Sequence, residues 1–135
     1  MSPSRVTILI VEDNLLNLEL VIDLLAAEGY SIRQARTGEE GLRLAQAARP
    51  TLILMDLRLP GIDGYAALRE LKADPRTAHI PVVALTAQAM NGDKEAVLAA
   101  GFDGYISKPI DTRIFRQTMA RALGSAAVAR ESERQ

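Results

Sequence analysis

The sequence contains no cysteine and no tryptophan, and it has a single histidine, His79. The lack of cysteine excludes disulfide bonds and thiolate chemistry, and it is compatible with a reducing cytoplasm. A lone histidine also argues against a metal site that is built on imidazole ligands. Disulfide and thiolate chemistry are therefore excluded, and a metal site built on histidines is disfavoured.

Long apolar runs and an excess of one charge are lacking as well. The apolar stretch near the N-terminus, VTILIV, is shorter than the core of a signal peptide and far shorter than a membrane span. A formal net charge of -1 gives no electrostatic footprint for nucleic acid or for an anionic membrane surface. We therefore expect a cytoplasmic protein that binds neither nucleic acid nor membrane.

The length of 135 residues corresponds to one domain that is large enough to bury a hydrophobic core. A second, output domain would not fit into this length. We expect residues 1–123 to form the domain and residues 124–135 to form a short C-terminal tail that frays.

Short runs rich in β-branched residues alternate with longer segments that have helical spacing. Three of the runs are almost continuously apolar, which is typical of strands covered on both faces, whereas SIRQA is polar enough for an edge strand. The runs are residues 6–11, 31–35, 51–55, 81–86 and 104–107. With right-handed crossovers, this order predicts an α/β fold of the (βα)5 type with a doubly wound parallel sheet of five strands.

Helix boundaries support the same prediction. Thr37 and Glu40 form a capping box, and Asp111 precedes the last helix. Gly29 and Gly101 stand where C-terminal caps are expected.

Polar residues follow four of the predicted strands. Glu12 and Asp13 come after the first strand, Asp56 after the third, Thr86 at the end of the fourth and Lys108 after the fifth. The carboxyl ends of parallel strands meet at one edge of the sheet, so we expect these side chains to converge. Three converging carboxylates repel one another unless a cation lies among them, and an all-oxygen ligand set suits Mg²⁺.

The same cluster has the parts needed for phosphoryl transfer. The hydroxyl of Thr86 and the ammonium of Lys108 can donate to phosphoryl oxygens, and the carboxylate of Asp56 can attack phosphorus. Each residue taken alone is more typical of a turn, a cap or a surface charge. Their joint position at successive strand ends is what favours a site.

Four segments, ILIVEDN, LILMDLRLPGIDG, PVVALTAQAMNGD and YISKPI, resemble in this order the response-regulator receiver domains, particularly stand-alone receivers of the DivK type. The resemblance extends from about Val6 to Leu123. It implies the flavodoxin-like receiver fold with strand order 2-1-3-4-5. It also implies a role in bacterial two-component signalling, including cell-cycle control.

The resemblance assigns a role to each residue at the predicted edge. Asp56 corresponds to the phosphoacceptor, and Lys108 to the lysine that pairs with the phosphate. The implied Mg²⁺ ligands are Asp13, Asp56 and the backbone carbonyl of Arg58, with Glu12 reaching the ion through water. Thr86 and Tyr105 correspond to the switch residues, and the Lys108–Pro109 bond to the cis peptide of the family.

The implied function is a switch that regulates partner proteins and is not a conventional enzyme, since it catalyses only its own phosphorylation and slow dephosphorylation. The phosphoryl donor would be a histidine kinase or a histidine phosphotransferase. A downstream target would bind the face formed by helix 4, strand 5 and helix 5, and the protein would be a monomer or a weak dimer. A phosphorelay intermediate, which passes the phosphoryl group on to a histidine, is the alternative function.

Two other classes are disfavoured by particular residues. A phosphatase of the haloacid-dehalogenase type has a second aspartate two residues after its nucleophile, where this chain has Arg58. A flavodoxin-like nucleotide binder needs a glycine-rich loop after the first strand, where this chain has VEDNLLN.

The first helix carries leucines on two arcs, and a helix that lies on a sheet normally buries one of them. By resemblance, the arc of Leu16, Leu20, Val21 and Leu24 is expected to pack inward. The hypothesis for the other arc is that Leu15, Leu18 and Ile22 form an exposed stripe. This stripe would dock the helical bundle that carries the donor histidine, or form a dimer contact. The alternative is that the last helix covers part of it.

Overall fold

A computed structural model describes residues 6–87 and 93–134, in which five strands alternate with five helices. The strands are β1 (Thr7–Val11), β2 (Ser31–Ala35), β3 (Leu52–Asp56), β4 (Val82–Thr86) and β5 (Gly104–Ser107). The helices are α1 (Leu15–Ala27), α2 (Gly38–Ala48), α3 (Gly64–Ala73), α4 (Asp93–Ala99) and α5 (Thr112–Arg134). The predicted (βα)5 order is confirmed.

The strands form one parallel sheet in the order β2-β1-β3-β4-β5. This order confirms the expected topology and places the polar strand β2 at an edge. Every residue of β3 and β4 is buried, as expected for strands that helices cover on both faces. Because β3 and β4 are covered on both faces, polar side chains of these two strands can approach solvent only at the strand ends and in the loops that follow.

Alternate residues of the central strands feed two hydrophobic cores. On one face lie Leu9, Val11, Ile53 and Met55, and on the other lie Ile8, Ile10, Leu52 and Leu54. This alternation follows from the two-residue period of a strand. The two cores fix the sheet between the helical layers, and so fix where the strand ends point.

The predicted capping residues Thr37 and Asp111 cap their helices, but the Glu40 carboxylate of the predicted capping box accepts from the Arg36 N–H, at 3.3 Å. The Thr37 hydroxyl accepts a hydrogen bond from the Glu40 N–H at 3.1 Å, and Asp111 accepts from the N–H groups of Arg113 and Ile114. Gly29 follows the end of α1 with φ of +83°, a conformation that favours glycine.

The burial of α1 corrects the sequence-based hypothesis. Leu18, Val21 and Leu25 are the buried residues of this helix, and Ile22 is half-buried against the same core. Leu15, Leu16 and Leu20 are exposed, with 78% of Leu16 accessible. The stripe that faces the sheet therefore runs through positions 18, 21 and 25. The expected exposure of Leu18 and Ile22 was wrong, as was the inward packing of Leu16 and Leu20, whereas Leu15 is exposed as predicted.

The last helix also differs from expectation, because α5 continues to Arg134 through the segment predicted to be a frayed tail. Gly124 does not end it, since one glycine costs a helix only about 1 kcal/mol and the residues that follow are rich in alanine. The division of the chain into a domain and a tail at residue 123 stays a prediction.

Among the residues described, no helix combines the length and the apolar character that crossing a membrane requires.

Candidate functional site

The carboxyl edge of the sheet brings together the residues that the sequence placed there. Glu12 follows β1, Asp56 ends β3, Thr86 ends β4 and Lys108 follows β5. Glu12 is completely buried, and Asp56 and Thr86 are each only 5% exposed. Asp13 is exposed at the same edge. The predicted convergence is confirmed.

Lys108 lies between two carboxylates. Its Nζ is 2.6 Å from Glu12 Oε1 and 3.0 Å from Asp56 Oδ2. Buried ions are tolerated when they are paired in this way, and removal of the partner would leave an uncompensated charge. One lysine cannot neutralise three carboxylates, so the edge retains negative charge.

The pKa values of the two buried carboxyl groups, Glu12 and Asp56, are shifted in opposite directions. Burial and a hydrogen bond shared with Asp56 raise the pKa of Glu12 to about 7. Burial alone would also raise the pKa of Asp56. Hydrogen bonds with Glu12, with the Arg58 backbone and with Lys108 outweigh it and lower that pKa. Asp56 is therefore the member of the pair that stays ionised, and an ionised carboxylate is able to act as a nucleophile.

Lys108 keeps its proton in this environment. Burial favours the neutral amine, but hydrogen bonds to Glu12 and Asp56 and their negative charges outweigh it and raise the pKa of Lys108. The ammonium is thus a fixed cation beside the Asp56 carboxylate.

The chain after β3 aims the Asp56 side chain. The Arg58 N–H donates to Asp56 Oδ1 at 2.9 Å, and the Gly64 N–H donates to the Leu57 carbonyl at 3.1 Å. A Cβ on Gly64 would lie 2.6 Å from the Asp56 carbonyl oxygen, so the start of α3 can approach this closely only because residue 64 is glycine. The β3–α3 loop (residues 57–63) is therefore folded tightly against the carboxylate.

Three carboxylates at this edge can hold a metal ion. One oxygen from each of Glu12, Asp13 and Asp56 lies within 4.8 Å of the other two. Hard oxygen donors of this number, with positions left for water and for a ligand oxygen, fit Mg²⁺. The negative charge that Lys108 leaves unneutralised also favours a bound cation.

The remaining predicted residues are placed as follows. The Thr86 carbonyl accepts a hydrogen bond from the Lys108 N–H at 2.8 Å, which joins the ends of β4 and β5. Tyr105 is half-buried on the edge strand β5, opposite Ala84. The Lys108–Pro109 peptide bond is cis, as expected.

Sequence reasoning missed two residues that support this edge. An Arg36 guanidinium nitrogen donates to the Asp13 carbonyl at 3.3 Å, and Glu39 Oε1 accepts from the Ile62 N–H at 2.9 Å. The capping box assigned Thr37 and Glu40 to the start of α2 but left Glu39 without a role. No local pattern shows these contacts, because each joins residues 23 positions apart.

Comparison with known proteins identifies the class to which this fold and site belong. The family model described as response regulator receiver domain matches residues 8–120. The chain therefore belongs to the response regulator receiver domains, the signalling switches of two-component systems.

Two relatives agree with this assignment. The chain is 47% identical over 120 residues to the polar-differentiation response regulator DivK of Brucella anthropi, covering 89% of this chain and 98% of that protein. DivK of Brucella ovis is 46% identical with the same coverage.

Among solved structures, one receiver domain comes from a sensor histidine kinase of Pseudomonas aeruginosa, with magnesium coordinated in its active-site cleft. It superposes with a TM-score of 0.82 at 37% identity, over 90% of this chain and 99% of that one. The chemotaxis response regulator CheY4 of Vibrio cholerae gives a TM-score of 0.81 at 25% identity, over 88% and 99%.

Proposed function

We propose that the protein is a phosphorylation-dependent switch in which Asp56 accepts a phosphoryl group from a phosphohistidine. The observation that carries this proposal is the environment of the Asp56 carboxylate. Arg58 N–H holds one of its oxygens at 2.9 Å and Lys108 Nζ holds the other at 3.0 Å. In the reaction, an Asp56 oxygen forms a bond to phosphorus while the phosphorus–nitrogen bond breaks and the imidazole keeps the electron pair.

Glu12, Asp13 and Asp56, together with the Arg58 carbonyl, would hold Mg²⁺ at this site. When bound, the ion supplies positive charge that offsets the charge on the phosphoryl oxygens. The carboxylate cluster and the magnesium in the Pseudomonas receiver domain support this assignment. Lys108 adds a second positive charge from the protein itself, on the β5 side of Asp56.

The switch would work through two further residues. Once Asp56 is phosphorylated, the Thr86 hydroxyl donates to a phosphoryl oxygen, and Tyr105 turns toward the space that Thr86 leaves. This rearrangement changes the face formed by α4, β5 and α5, where a downstream protein binds. A groove of about 550 Å³ on this face gives such a partner a mixed surface to contact, because it is lined by apolar residues such as Leu98 and Ile114 and by charged residues such as Lys94 and Arg121.

Donor docking is proposed on α1, in a corrected form. The exposed leucines Leu15 and Leu16 begin this helix directly after the loop that carries Glu12 and Asp13, so they would contact the helical bundle that carries the phosphohistidine. Leu16→Asp should then slow phosphoryl transfer from such a protein without changing phosphorylation by a small molecule. Equal slowing with both donors would contradict a docking role.

The likeness to DivK supports a further proposal, namely that the switch controls polar differentiation or the cell cycle of a bacterium through histidine kinases. Its cellular compartment would then be the cytoplasm, where those kinases present their phosphohistidine.

A small-molecule phosphodonor with Mg²⁺, followed by intact mass measurement, tests the chemistry. We expect a labile gain of one phosphoryl group in the wild type and its loss in Asp56→Asn. Asp63→Asn is the matched control, because Asp63 is a nearby exposed aspartate whose capping bond to the Ala66 N–H an asparagine oxygen can keep. A gain that persists in Asp56→Asn, or that does not need Mg²⁺, would contradict the proposal.

A further inference from the structure

We infer that Glu39 is a positioning residue for the metal and phosphoryl site. Its carboxylate holds the β3–α3 loop, and with it Arg58, in the conformation that the site requires. This inference rests on the proposed function. It gives α2 a supporting role at the site, although none of the proposed metal ligands lies on α2.

The first turn of α2 contacts the β3–α3 loop through both the backbone and the side chain of Ile62. Glu39 Oε1 accepts a hydrogen bond from the Ile62 N–H at 2.9 Å. A Cβ on Gly38 would lie 2.5 Å from Ile62 Cγ1, so the start of α2 is packed directly against the Ile62 side chain. The backbone and the side chain of Ile62 therefore both meet the first turn of α2.

Gly61 shows that the loop is fitted to the carboxylate. Its φ is +77°, and a Cβ there would lie 2.5 Å from Glu39 Oε1 and 2.8 Å from Oε2. A side chain at this position would be strained and would displace the carboxylate. The left-handed turn at Gly61 is thus what allows the chain to present the Ile62 N–H to Glu39.

The hydrogen bond secures the part of the loop that lies between its two fixed ends. At one end the Leu57 N–H donates to the Leu85 carbonyl at 3.0 Å, and at the other the Gly64 N–H donates to the Leu57 carbonyl. Arg58, Leu59 and Pro60 lie between the first of these anchors and the Ile62 contact. Holding Ile62 therefore restricts the backbone that carries the Arg58 carbonyl.

Arg36 makes a matching contact with the β1–α1 loop (residues 12–14). Its guanidinium donates to the Asp13 carbonyl at 3.3 Å, and its own N–H donates to Glu40 Oε1 at 3.3 Å. The turn that starts α2 thus touches both loops that supply metal ligands. Groups that orient ligands from outside the coordination sphere change metal affinity when they are removed.

The ionised state of Glu39 agrees with this role. Hydrogen bonds from the backbone N–H groups of Ile62 and of Glu39 itself lower the pKa of the carboxyl group. The carboxylate is therefore available as an acceptor at neutral pH.

The experiment compares Glu39→Ala with Glu39→Gln, because the glutamine oxygen can still accept from the Ile62 N–H. Each variant is titrated with Mg²⁺ alone while backbone amide signals are followed, and the exchange rate of the Ile62 amide is measured without metal. Glu70→Ala is the matched control, since it removes an exposed glutamate from the body of α3. Thermal unfolding without Mg²⁺ confirms that each variant is folded.

We expect Glu39→Ala to weaken Mg²⁺ binding about threefold to tenfold and to speed exchange of the Ile62 amide. Glu39→Gln should recover most of the affinity, and Glu70→Ala should match the wild type. Wild-type affinity in Glu39→Ala, or an equal loss in Glu39→Gln, would overturn the positioning role while leaving the proposed function intact. A wild type that binds no Mg²⁺ would overturn both.

Discussion

Polar groups at the two ends of the sheet are paired in different ways. At the amino end, the Thr51 hydroxyl accepts a hydrogen bond from the Thr7 N–H at 3.1 Å, so neutral groups satisfy each other. At the carboxyl end, Glu12 and Asp56 are buried with Lys108, and their pairing depends on opposite charges as well as on hydrogen bonds. A neutral hydrogen bond is enough to pair polar groups in a stable fold, whereas burial of charged groups carries a large desolvation penalty. The difference locates function at the carboxyl end.

Of the substitutions proposed at the two ends of the sheet, removal of Lys108 should lower the free energy of unfolding the most. Lys108→Met leaves two buried carboxylates without their cation, so we expect the free energy of unfolding to fall by about 3 kcal/mol at pH 8 without Mg²⁺. Denaturant unfolding measures this change.

Lys94→Met is the control, because Lys94 is an exposed lysine on α4 and its loss should change the free energy by less than about 0.5 kcal/mol. If the two variants lost equal stability, the Lys108 ion pairs would contribute nothing particular to the fold.

Glu12 should give the charged end a pH dependence that the neutral end lacks. Its pKa is raised from 4.5 to about 7 in the folded protein, so between these values the folded state binds more protons than the unfolded state. Stability without Mg²⁺ should therefore fall as pH rises from 5 to 8, by about 2 kcal/mol. The lowered pKa of Asp56 acts at more acidic pH, where its stabilising effect is lost as pH falls below 4.

Glu12→Gln removes the titrating group, so we expect the variant to show a flat stability profile from pH 5 to pH 8 with a chelator present. A slope that survives in Glu12→Gln would assign the pH dependence to another group.

The neutral end should give the smallest effect. Thr51→Val leaves the Thr7 N–H without its hydroxyl acceptor, so we expect a loss of about 1 kcal/mol that does not vary between pH 5 and pH 8. Thr51→Ser keeps the hydroxyl and should retain more stability than the valine variant. A pH-dependent loss in Thr51→Val would remove the contrast between the two ends.

The residues at the carboxyl ends of the strands were predictable, because each apolar run marks a strand and the residues that follow it can be read from the sequence. Asp56 and Lys108 are 52 positions apart in sequence, yet parallel topology alone places both at one edge. The cis bond before Pro109 and the Mg²⁺ roles of the Arg58 carbonyl and of a water-linked Glu12 came instead from resemblance to the family. Periodicity gives no signal for either.

The packing of α1 was not predictable in the same way. Leucines stand on nearly every side of this helix, so helical periodicity does not distinguish the face of Leu18 from the face of Leu16. In the fold, Leu18, Val21 and Leu25 join a core with residues of the sheet and of α5, and the spacing of leucines along α1 does not show this. The Glu39 contact was also beyond sequence reasoning, because it depends on the left-handed turn at Gly61.

Mapping the phosphoryl group tests the role of Asp56 most directly. After treatment with a phosphodonor and Mg²⁺, borohydride reduction converts an acyl phosphate to a stable alcohol that peptide mass spectrometry can locate. We predict that the reduced residue is Asp56 and that omission of Mg²⁺ abolishes it. Reduction at Asp13 or Glu12 instead, or a modification that borohydride does not reduce, would contradict the assignment of Asp56 as the phosphoacceptor.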